Sequence, residues 1–126
     1  MQALLATGIS ILALDAAWLT FRYDYHNNLF KSIQKSELKA RILPAIFVYV
    51  VLSCAIYVWA IKDQKTLESA ALQGALVGFI LYGFYDLTNY ATLTNWTLEM
   101  LTIDIMWGTF ASTIGAAIGF YFLKKQ

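Results

Sequence analysis

The chain has 126 residues, of which 60% are apolar, 16% aromatic and only 13% charged. Ordinary globular chains are about a quarter charged, so this one carries half the usual charge, and so apolar a chain is not disordered. Net charge +1 leaves no basic footprint for nucleic acid. One cysteine and one histidine rule out a disulfide framework and any multi-cysteine or multi-histidine metal site.

Four apolar stretches of roughly 20 residues follow, each enough for a helix to cross a hydrocarbon core about 30 Å thick. They have almost no polar face, which a soluble bundle would need. The first is predicted as a helix over residues 3–21. It lacks a basic leader and carries Asp15, so it reads as a membrane span and not as a signal peptide. The loop from Arg22 to Arg41 has Lys31, Lys35 and Lys39 four residues apart, with Leu29, Phe30 and Ile33 roughly opposite. That pattern fits an amphipathic helix over residues 28–41 lying in the interface, or a solvated linker with anchoring lysines. His26 is expected in this loop as an interfacial polar residue.

The second span is predicted over residues 42–61. Pro44 falls in its first turn, where a missing N–H is harmless, and Cys54 reads as an inert buried residue. The third covers 70–90 and contains Gly74 and Gly78; the fourth covers 98–123 and contains Ala111, Gly115 and Gly119. Small residues at this spacing let helix backbones approach closely in lipid. The Gly74/Gly78 and Gly115/Gly119 faces also offer a surface to a second copy or a membrane-protein partner. Tyr57, Trp59 and Tyr121 at one end, and Tyr23, Tyr25, Tyr90 and Trp96 at the other, read as aromatic belts. Asn95-Trp96-Thr97 matches a glycosylation sequon, a cheap match attributed to chance.

The expected fold is thus all-α: a polytopic integral membrane protein, one domain over 1–126, with four transmembrane helices and both termini on the same side. The first helix has no Lys or Arg before it and several after it, which turns the 22–41 loop towards the cytoplasm.

The informative residues are the acids within the spans. Counting 1.5 Å per residue, Asp15 lies about 10 Å below the Arg22 boundary and Asp104 about 12 Å below Trp96. Asp86, near the end of the third helix, falls at a similar depth. A charged aspartate in hydrocarbon is costly, about 2.5–3.5 kcal/mol even on insertion scales. Three at one depth therefore belong in the bundle interior or a wet cavity. Trp18 follows Asp15, and Trp107 follows Asp104, at a spacing of three that shares a helix face. Asn89 follows Asp86 likewise, with Thr88 beside it and Tyr82 one turn earlier. All these side chains donate hydrogen bonds. The candidate ligand- or proton-binding set is Asp15, Trp18, Tyr82, Asp86, Thr88, Asn89, Asp104 and Trp107. No metal site and no cofactor are expected. Asp15-x-x-Trp18-x-Thr20-Phe21 also echoes Asp104-x-x-Trp107-x-Thr109-Phe110.

The string Tyr85-Asp86-Leu87-Thr88-Asn89-Tyr90-Ala91-Thr92-Leu93, then Trp96 and Asp104-Ile-Met-Trp107-Gly108, resembles the signature of the domain-of-unknown-function family 2177. Leu14-Asp15-x-x-Trp18-Leu19 and the Gly74/Gly78/Tyr82-Gly83 run match as well; Phe84 departs from the smaller residue expected there. The resemblance implies a small bacterial four-helix membrane protein, hence an inner-membrane location, and no particular reaction. Three functions stay open. The aspartate layer binds a proton, a cation or a polar headgroup; or the protein is an enzyme acting on a lipid or isoprenoid; or it is an accessory subunit in which the layer only holds helices together.

Overall fold

The structure, a computed structural model, describes residues 1–125. The chain forms α1 (Gln2–Phe21), α2 (Tyr23–Gln34), α3 (Ile42–Ile56), a π-helical turn that extends α3 over Tyr57–Ile61, α4 (Leu67–Thr92) and α5 (Leu98–Lys125). Four of these are long and apolar enough to cross a membrane: α1, α3 with its π turn, α4 and α5. Four crossings return the C-terminal end of α5 to the side where α1 begins.

The bundle is packed as lipid requires. Large apolar side chains point outward, among them Ile9, Phe47, Val51, Leu72, Phe79, Phe84 and Met106. The interior combines small residues at the helix contacts with a buried apolar cluster of Ile11, Leu52, Ile56, Ile61, Val77 and Phe120. With no hydrophobic difference between lipid and neighbour, helices associate through close backbone contact and interhelical hydrogen bonds. Helix α5 occupies the middle, with α4 on one side and α1 on the other. A Cβ at Gly78 would stand 2.6 Å from the Gly108 carbonyl oxygen, and one at Gly74 would stand 2.7 Å from that of Ser112. On the other side, Thr7 Oγ1 donates to the Gly115 carbonyl at 3.3 Å. Ile11 lies over Gly115, and Ile61 of the π turn lies over Gly119. Helix α3 packs outside α1, where Ser53 faces Gly8. The small-residue faces are therefore taken up inside the chain. Gly74, Gly78, Gly115 and Gly119 leave no free face for a second copy, contrary to the expectation above.

Other differences have local causes. Helix α4 begins earlier than residue 70 because the Thr66 hydroxyl accepts from the Ser69 N–H at 3.1 Å and caps it. The amphipathic helix occupies Tyr23–Gln34 in place of residues 28–41. It ends where Lys35 turns left-handed at φ 63°, so Lys39 lies outside it and the lysine stripe is broken. Its apolar side packs on the protein: Leu29 is buried with Trp96 and Met100, and Phe30 and Ile33 pack against that cluster, so α2 closes one end of the bundle. His26 lies within α2, where Nδ1 bonds the Arg22 carbonyl oxygen at 3.0 Å. Cys54 is exposed on the lipid-facing side of α3, not buried.

Candidate functional site: an aspartate layer beneath α2

Packing of α5 antiparallel to both α1 and α4 brings the three acids to the end of the bundle that α2 closes. They are not equivalent there. Asp15 is half-buried and held by two donors from two other helices. Trp107 Nε1–H donates to Oδ1 at 2.7 Å, and the Tyr49 hydroxyl donates to Oδ2 at 2.9 Å. Trp18, one turn along α1, stacks on Trp107 with ring centroids 4.5 Å apart and planes 6° from parallel. The two D-x-x-W-x-T-F segments thus lie against each other. The counterpart bond, Trp18 to Asp104, is not made: Trp18 Nε1 is buried without a partner.

Asp86 has the opposite environment. It is 0% exposed, and neither carboxyl oxygen takes a hydrogen bond. The Asp104 carboxyl and the Trp96 indole N–H face it, yet Trp96 Nε1 too is buried and unbonded. Tyr82 completes the layer. Its ring lies on the backbone of Gly108, within electrostatic reach of Asp15, Asp86, Asp104 and Tyr49. The three acids do not close into one cluster. Among the described residues, no group of three or more His, Cys, Asp or Glu side chains could hold a metal ion.

Two of the expected site residues stand apart. Thr88 is exposed on the outer face of α4. Asn89 is turned to Tyr85, one helical turn before it, and not to Asp86. Two residues enter in their place. Tyr49 lies eight positions after Arg41, about 12 Å into the bilayer, so the depth count used for the acids would have found it. Trp96 was assigned to an aromatic belt, but it is only 3% exposed and lies beneath α2.

Among the described residues no Lys or Arg forms an ion pair with the layer, and His26 of α2 lies within electrostatic reach of Asp104. The Arg22 guanidinium sits 4.4 Å from the Tyr25 ring centroid and 5.7 Å from that of Trp18, with Nε and Nη2 buried and unbonded. Among the described residues the ion pairs are Lys31–Glu37 at 2.6 Å and Lys62–Asp63 at 3.9 Å, neither of which involves the layer.

Helix α2 is fastened over the site by polar contacts as well as apolar ones. The Tyr25 and Thr97 hydroxyls share a hydrogen bond of 2.6 Å. Asn95 Nδ2 donates to the Ser32 carbonyl at 3.2 Å. Thr97 also caps α5 by accepting from the Met100 N–H at 3.0 Å, so the sequon residues serve this joint. Burial pushes the Tyr25 hydroxyl above the usual tyrosine range, the Thr97 bond partly opposing it. The Glu37 carboxylate holds the Lys31 ammonium above the usual lysine range.

No curated protein and no solved structure matches the chain. The family described as "Predicted membrane protein (DUF2177)" matches residues 1–121, and with its four apolar spans and internal polar layer the chain belongs to that family.

Proposed function

We propose that this membrane protein binds a proton between Asp86 and Asp104. The observation that carries the reading is that Asp86 is wholly buried, has no hydrogen bond on either oxygen, and faces a second carboxyl. An isolated carboxylate in so apolar a place is costly by many kcal/mol, and two facing carboxylates add mutual repulsion. One shared proton removes both penalties, because a protonated carboxyl donates where an ionised one can only accept. Asp15 takes hydrogen bonds from neutral donors on other helices, Trp107 and Tyr49. Asp86 faces a second carboxyl in their place, which favours a proton site over a purely structural one.

Difference potentiometric titration of the protein in lipid nanodiscs tests this. Wild type is expected to hold one more proton at neutral pH than the Asp86→Asn variant. Identical titration curves would refute the proposal.

A further inference from the structure

His26 is the one histidine of the chain, and α2 sets it over the acids. Its ring stacks on Phe30, with centroids 6.4 Å apart and planes 12° from parallel. Phe30 in turn meets Trp96 edge-on at 5.5 Å, and Trp96 faces Asp86. From α5, Asp104 lies within electrostatic reach of His26. The imidazole is only partly buried, so it borders water on one side and the acid layer on the other.

A hydrogen bond fixes which ring nitrogen is free. Nδ1 lies 3.0 Å from the Arg22 carbonyl oxygen. A carbonyl oxygen only accepts, so Nδ1 carries the hydrogen and Nε2 is the basic nitrogen of the neutral ring. Imidazole takes and gives protons near neutral pH, as exchange with the acids requires. The groups around it are less suited. The Arg22 guanidinium does not give up its proton. The Tyr25 hydroxyl is tied to Thr97 and pushed above the usual tyrosine range by burial. Glu99 is exposed and faces that hydroxyl. We propose, on the basis of the shared proton above, that His26 is the relay by which protons enter and leave the Asp86–Asp104 pair. Nε2 takes a proton from hydronium at the surface and leaves water. The Nε2–H bond then breaks as an O–H bond forms on Asp104, its electron pair staying on nitrogen, and neutral imidazole is restored. Release runs the same steps in reverse.

Stopped-flow infrared spectroscopy of the protein in lipid vesicles tests this, by mixing with D₂O at neutral pH and following deuteration of the carboxylic acid band. His26→Ala should keep the full band and slow its deuteration about a hundredfold, the scale of a positioned acid–base group. Free imidazole should restore the rate in His26→Ala and leave wild type unchanged. Equal rates in wild type and His26→Ala would overturn the relay, as would slowing that imidazole does not relieve, or loss of the band in His26→Ala. A wild type without any acid band would instead refute the shared proton itself, and the relay with it. Should His26→Ala fail to fold, wild type treated with diethyl pyrocarbonate decides the matter. Ethoxyformylation of His26 should slow deuteration and hydroxylamine should reverse the effect; an unchanged rate in the modified protein would overturn the relay.

Discussion

The ring of Tyr82 lies on the bare backbone of Gly108, in the space a Cβ at that position would occupy. This contact joins α4 to α5 at the level of the acids and sets the tyrosine among Asp15, Asp86 and Asp104. Site and fold therefore share one joint.

Gly108→Ala should lower stability by about 1–3 kcal/mol, the usual cost of forcing an extra group into a filled interior. Gly83, one residue beyond Tyr82, has nothing within 4 Å of the position a Cβ would take. Gly83→Ala should be neutral or raise stability by up to about 1 kcal/mol. Unfolding midpoints in mixed micelles would check both; equal effects at the two glycines would contradict the packing.

Trp107 and Tyr49 each bond Asp15, so their effects should be coupled through it. Tyr49→Phe and Asp15→Asn in a double-mutant cycle should show a coupling near 1 kcal/mol, since interhelical hydrogen bonds in lipid average about 0.6 and reach about 1.7 kcal/mol. Trp107→Phe keeps an aromatic ring against Trp18 but loses the donor, so it should couple to Asp15→Asn on the same scale. Zero coupling in both cycles would show that these bonds do not form in the bilayer.

Leu29 is the most buried residue of α2 and packs on Trp96 and Met100. Leu29→Ala should cost about 2 kcal/mol, which raises opening of α2 roughly thirtyfold while the four spans stay protected. Hydrogen exchange over Tyr23–Gln34 reads this directly. A uniform loss of protection across the bundle would mean that α2 is not a separate cap.

The α2 joint should also loosen at high pH. Lys31 and Tyr25 both have folded values raised above their unfolded ones. Their contribution is therefore complete below the ordinary Lys and Tyr values, about 10 for each, and is lost as pH rises through the higher folded values. Exchange of the α2 amides, corrected for intrinsic rate, should accelerate only in that alkaline window. Glu37→Gln should remove the Lys31 part of the change.

Much of the fold was legible because lipid imposes simple rules: four apolar runs of sufficient length, and acids whose depth follows from counting residues. The partition among those acids was not. Depth places Asp15, Asp86 and Asp104 in one layer, but helix rotation decides that Asp15 meets Trp107 and Tyr49 while Asp86 meets Asp104. Rotation also turned Thr88 outward and Asn89 towards Tyr85, although both are close to Asp86 in sequence. The glycine spacings marked close helix contacts correctly. They carried no information on whether the partner helix belonged to the same chain, and here Ser112, Gly108 and Ile11 supply the opposing surfaces. The lysine period of the α1–α3 connection misled because Lys35 leaves helical geometry, so Lys39 never joins the stripe.

The proposed proton between Asp86 and Asp104 is tested most directly by infrared difference spectroscopy of the protein in lipid at neutral pH, comparing H₂O with D₂O and wild type with Asp86→Asn. Wild type should show the carbonyl stretch of a protonated carboxylic acid, shifted by deuteration, and the band should vanish in Asp86→Asn. A wild-type spectrum with carboxylate bands alone, or an acid band that survives in Asp86→Asn, would contradict the account.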